Sequence, residues 1–84
     1  MGGTDKGSSK RQVAFGDRVR HYRQVLQLSQ EALAYRANIN RTYVTSLESG
    51  RRNPSLELMS RLATALEVDL GVLTTGLQQI AGRT

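Results

Sequence analysis

Cysteine is absent from this chain, aromatic residues are few, and no long apolar run is present. Without cysteine, neither a disulfide nor a cysteine-based zinc site can staple the fold, which suits a cytoplasmic protein. No stretch approaches the roughly 20 apolar residues of a membrane span, and no signal peptide is visible. Met1-Gly2 lacks the Ser or Thr that myristoylation needs at position 6, where Lys6 stands. Three Tyr and one Phe leave the core to aliphatic chains. At 84 residues such a core is marginally stable alone, so association with a second copy is an expected supplement. Catalytic equipment is missing as well. The chain has no Gly-rich phosphate loop, no acidic or histidine cluster for a metal, and no nucleophile with a base beside it. His21 reads as a surface or half-buried side chain rather than a ligand. The expectation is therefore no enzyme, no metal and no cofactor.

Charge is what the chain has in excess. Twelve Lys/Arg against seven Asp/Glu give +5, which suits a polyanionic partner. The excess is uneven. Residues 1–24 carry six basic against two acidic groups, and residues 40–52 carry Arg41, Arg51 and Arg52 against Glu48. From 53 onward Arg61 and Arg83 face Glu57, Glu67 and Asp69, so the sign reverses. On charge alone, an ordinary solvated basic surface is the alternative.

Residues 1–12 (MGGTDKGSSKRQ) have little to bury and read as a disordered basic tail. Lys10 and Arg11 could serve there as an arm toward phosphate or the minor groove, or as solvated charges. Phe15, Val19, Tyr22 and Leu26 then form one helical stripe that ends near Gln27. Ser29 is an N-cap, with Leu28 and Leu33 at the spacing of a hydrophobic staple, and opens a short helix over about 30–37. The same grammar repeats at once. Asn40 caps a third helix, with Ile39 and Val44 as its staple, and Asn38 stands where the chain must turn through a left-handed residue. Gly50 closes that helix. Pro54 disfavours helix at Asn53, Ser55 caps a fourth helix carrying Leu58, Met59, Leu62, Ala63 and Leu66, and Asp69 caps a last short one. No strand alternation appears, so the fold class is all-α.

Two short helices joined by a tight turn cross steeply, and the second can project from the body. Val44 and Leu47 face inward, which leaves Arg41, Thr42, Thr45, Ser46 and Ser49 outward. A face of short hydrogen-bonding side chains suits the donors and acceptors of a DNA major groove.

The segments FGDRVRHYRQVLQLSQEALA, INRTYVTSLESGRRNPSLEL and LATALEVDLGVL carry a resemblance that spans about residues 15 to 75. The chain is similar to the lambda-repressor-like, Xre-type helix-turn-helix regulators of bacteria and phages. That resemblance implies five helices, with the helix-turn-helix at the second and third. It implies a domain over 13–76, between the tail 1–12 and a C-terminal tail 77–84. Arg41, Thr42, Tyr43, Thr45 and Ser46 match base-reading positions, and Arg41 has the geometry for a bidentate contact to guanine. Gln30, Ser49, Arg51, Arg52 and Asn53 match positions on the DNA backbone. Arg23 and Glu48 match an ion pair that joins the first helix to the third. The chain departs from the family in having Asn38 and Glu67 where glycine is usual.

Tyr35 is expected to pack on the first helix, while Tyr43 divides between DNA contact and the edge of the core. Leu70, Val72, Leu73 and Leu77 are expected in a dimer interface, with completion of the monomer core as the alternative. The resulting reading is a homodimer on a two-fold related, palindromic operator in double-stranded DNA, regulating its own gene. It would be cytoplasmic and associated with the nucleoid through DNA, with RNA polymerase as a further partner. The run ALAYRANINRTYVTSLESGRRN also resembles restriction–modification controller proteins. A DNA-binding antitoxin that masks a toxin is the competing function.

Overall fold

The computed structural model describes residues 9–80. Five α-helices run in order: α1 (Lys10–Val25), α2 (Gln30–Ala37), α3 (Arg41–Glu48), α4 (Leu56–Leu66) and α5 (Leu70–Thr74). A 3-10 turn over Leu77–Gln79 follows, and no strand occurs among the described residues. The core is aliphatic apart from Phe15. Val19, Leu33, Val44, Leu47, Leu62, Leu66 and Leu73 are fully enclosed, and Ala34, Ala37, Ala63 and Ala65 allow close helix approach.

Each helix starts where a short polar side chain can take an unpaired amide. Ser29 accepts from Ala32 N, Asn40 from Tyr43 N at 2.8 Å, Ser55 from Leu58 N, and Asp69 from Gly71 N. The turn between α2 and α3 is made by Asn38, which is left-handed at φ 59°. Glu67 ends α4 in the same conformation at φ 62°, and Gln27 after α1 adopts it at φ 59°. Gly50, at φ 81°, closes α3, and the Arg51 amide reaches back to the Ser46 carbonyl.

Two boundaries differ from the sequence reading. Helix α1 begins at Lys10, so residues 10–12 are helical; residues 1–8 of the expected tail lie outside the described residues. A capping box causes this: Ser9 Oγ accepts from Gln12 N, while Gln12 Oε1 accepts from Ser9 N. At the other end, residues 77–80 are part of the body. Arg11 donates to the carbonyls of Leu77 at 2.8 Å and Gln78 at 2.9 Å, and Leu77 packs against the core. Arg11 is therefore committed to a structural contact rather than held as a free arm. Residues 81–84 of the expected C-terminal tail lie outside the described residues.

Arginines also tie helix ends across the back of the molecule. Arg36 of α2 donates to the Ala65 carbonyl near the end of α4, and Arg61 of α4 donates to the Ala37 and Asn38 carbonyls at the end of α2. Each cation meets the negative end of the other helix. This pairing ties α2 to α4.

Candidate nucleic-acid interface

The outer face of α3 carries the polar residues. Arg41, Thr42, Thr45 and Ser49 are exposed, Ser46 and Tyr43 are half-buried, and Val44 and Leu47 are enclosed below them. Arg51, Arg52 and Asn53 follow in an exposed loop. The Arg52 guanidinium lies 4.9 Å from the centroid of the Tyr43 ring. Tyr43 edges the core, one of the two roles its sequence left open, and its ring also supports an exposed cation.

Beneath this face lies one buried charge. Glu48, 5% exposed, is held by Arg23 through two bonds, Nε to Oε2 at 2.7 Å and Nη2 to Oε1 at 3.0 Å. Arg23 also donates to the Leu28 carbonyl at 2.8 Å, so one side chain joins α1, the approach to α2, and the end of α3. The hydrogen bond to Glu48 raises the Arg23 pKa, and the opposing effect of burial does not cancel it. Gln30 then donates from Nε2 to Glu48 Oε1 at 3.1 Å and accepts from Thr45 Oγ1 at 2.9 Å. Gln30, Thr45, Glu48 and Ser49 line a cleft with Arg20 and Arg23.

Backbone contact completes the seat of α3. A Cβ added to Gly16 of α1 would stand 2.2 Å from the Leu47 carbonyl oxygen, so only glycine lets α1 lie this close to the last turn of α3. Arg20, exposed on the same side, donates to Asp17 Oδ1 at 3.1 Å and to the Glu48 carbonyl at 3.3 Å. Its place at the end of α3 was not expected. No spacing rule signals a bond to a carbonyl 28 residues away.

Two expectations are corrected. Tyr35 does not pack on α1: it is 89% exposed, because α2 turns Leu33, Ala34 and Ala37 inward and leaves position 35 on the far side. Leu73 is wholly enclosed in the monomer, so it completes the core and has no surface for a second copy. Leu70 and Leu77 are partly buried against that core, and Val72, 39% exposed, is the open apolar side chain of α5. Among the described residues, no group of three His, Cys, Asp or Glu could hold a metal. No helix there is long and apolar enough to cross a membrane.

A helix with a polar outer face, seated by a buried ion pair beside a loop that carries Arg51 and Arg52, has the make-up of a helix-turn-helix. Residues 14–75 match the family described as the helix-turn-helix domain, and the chain belongs to that family of DNA-binding transcriptional regulators. Among curated relatives, Control protein C.MunI of a Mycoplasma species is 31% identical over 68 residues, covering 80% of this chain and 92% of the relative. The restriction–modification controller protein C.AhdI of Aeromonas hydrophila superposes with a TM-score of 0.75 at 42% identity, covering 77% of this chain and 98% of that one. The biofilm master regulator SinR, solved in complex with DNA, gives 0.67 at 28% identity, covering 70% of this chain and 95% of that one.

Proposed function

We propose that this regulator works as a homodimer on a two-fold related operator, with one α3 in each of two successive major grooves. The operator lies upstream of its own gene, and the protein regulates its own expression as a restriction–modification controller. Arg41, Thr42, Tyr43, Thr45 and Ser46 read bases, while Gln30, Ser49, Arg51, Arg52 and Asn53 hold the sugar–phosphate backbone. Two copies would set half-sites about 34 Å apart. Val72, with the edges of Leu70 and Leu77, supplies the contact between copies, and RNA polymerase is the partner through which the bound dimer alters transcription.

The observation that most supports this reading is the seat of α3: its polar face is held outward by Arg23 and Glu48, beside the cationic loop at 51–53. Fluorescence anisotropy with DNA from upstream of the gene, against a scrambled duplex at several salt concentrations, tests it. Preference for the upstream DNA with two protomers per site is expected. Equal, steeply salt-dependent binding to both duplexes would contradict the operator assignment, and a monomer on DNA in ultracentrifugation would contradict the dimer.

A further inference from the structure

We infer that Thr45 reads its base as a hydrogen-bond acceptor, so that the operator carries an exocyclic amine, adenine or cytosine, on the strand facing it. The inference rests on the reading that α3 enters the major groove and deepens it by fixing the direction of one contact.

The direction follows from a chain of bonds that begins at a group unable to change polarity. Arginine has donors only and keeps its proton. Arg23 holds both oxygens of Glu48, at 2.7 Å and 3.0 Å, so the carboxylate is left with acceptors alone. The side-chain amide of Gln30 must therefore turn its nitrogen toward Glu48, as it does at 3.1 Å, which turns its oxygen toward Thr45. An amide oxygen only accepts. The Thr45 hydroxyl must then be the donor at 2.9 Å, and its proton points into the protein. The second group within reach is the Arg41 carbonyl at 3.2 Å, which is also only an acceptor. Whichever oxygen takes the proton, the exposed side of Thr45 Oγ1 presents lone pairs.

The major-groove edge of every base pair places an amine on one strand and a keto oxygen on the other: adenine N6 against thymine O4, cytosine N4 against guanine O6. An acceptor at Thr45 thus separates adenine and cytosine from guanine and thymine on the facing strand. Gln30 keeps its second N–H, which suits a phosphate oxygen. The same relay therefore gives a donor to the backbone and an acceptor to the base. The Ser46 and Ser49 hydroxyls also donate to carbonyls one turn back, Thr42 O at 3.2 Å and Thr45 O at 2.7 Å, and differ from Thr45 in having no side-chain relay behind them.

The test is selection of binding sites from a randomised duplex pool by the wild-type protein, Thr45→Val and Thr45→Ser, with thermal melting as a check that each is folded. The wild type should select one column in each half-site where adenine and cytosine exceed guanine and thymine by about 3- to 10-fold. Thr45→Val should flatten that column alone, and Thr45→Ser should keep it. Replacing the selected adenine by purine, or the cytosine by 2-pyrimidinone, removes the amine and should weaken the wild type by the same factor while leaving Thr45→Val unaffected. A wild type that selects no consensus would overturn the base-reading role of α3 and this inference with it. A consensus in which the Thr45-dependent column favours guanine or thymine, or in which no column depends on Thr45, would overturn this inference alone.

Discussion

The two halves of this small domain are held together by different physics. Around α4 and α5 the enclosed side chains are all apolar, Leu62, Ala63, Ala65, Leu66 and Leu73, and the directional bonds are those of arginines to helix-end carbonyls. Around α3 the apolar contribution is Val44 and Leu47, and the rest is directional. A buried carboxylate, a bidentate arginine, an amide and a glycine contact fix where the helix ends and how it is rotated. Apolar burial is forgiving of small rotations, because it depends on area rather than angle. Hydrogen bonds are not. If α3 reads bases as proposed, holding Arg41 and Thr45 at fixed positions gains from the second kind of support.

The contrast can be broken most severely at Glu48. Replacing it by alanine leaves the Arg23 guanidinium, 13% exposed, without its counter-charge and should cost about 3–5 kcal/mol. Leu62→Ala on α4 should cost a similar 2–5 kcal/mol through a cavity. The two should part in DNA binding. In denaturant titrations both lose stability, but at temperatures where each is still folded, only Glu48→Ala should lose preference for operator over scrambled DNA.

Gly16→Ala is the next largest. Its Cβ cannot stay 2.2 Å from the Leu47 oxygen, so α1 and α3 must separate, at about 1–3 kcal/mol for the overpacked contact. Thermal melting measures the cost, and operator affinity should fall by more than that loss of folded protein explains.

Arg52→Ala sharpens the contrast from the DNA side. It should weaken binding to operator and scrambled duplex alike, and the slope of log affinity against log salt should become shallower by about one. Unequal losses on the two duplexes would mean that Arg52 reads bases.

The smallest effect belongs to backbone strain. Gln27 and Glu67 are left-handed without being glycine, and replacing either by glycine should relieve up to about 1 kcal/mol, offset in part by a freer unfolded chain. Thermal melting of the two variants checks this, and operator binding should not change.

Local signals explain what the sequence made readable. The caps at Ser29, Asn40, Ser55 and Asp69 and the left-handed Asn38 depend on neighbours a few residues away, so their spacing announces them. The start of α1 was equally available: Ser9 and Gln12 form the Ser-x-x-Gln pattern of a capping box, hidden by the polar composition around it. Arg11, Arg20, Arg36 and Arg61 carry no such mark. Each binds backbone carbonyls brought close only by the tertiary fold, and a carbonyl looks the same at every position. Tyr35 was expected to pack on α1, but which face of α2 meets another helix depends on packing, and Leu33, Ala34 and Ala37 take that face. Leu73 was misassigned for the same reason, since one apolar side chain on a short helix can serve either the monomer or its partner. The pairing of Arg23 with Glu48 came from the family resemblance and not from spacing.

If α3 reads bases as proposed, the polar network under it serves to orient that face rather than to stabilise the fold. Replacing the pair together, Arg23→Met with Glu48→Leu, tests this most directly, because an apolar pair of similar volume is often as stable as a buried ion pair. Thermal melting and the ratio of operator to scrambled-DNA affinity are measured on the same preparation. The melting temperature should be kept while the ratio falls by about tenfold or more, the worth of a lost base contact. An unchanged ratio at an unchanged melting temperature would mean that α3 is oriented without this pair, by apolar packing and the close contact at Gly16.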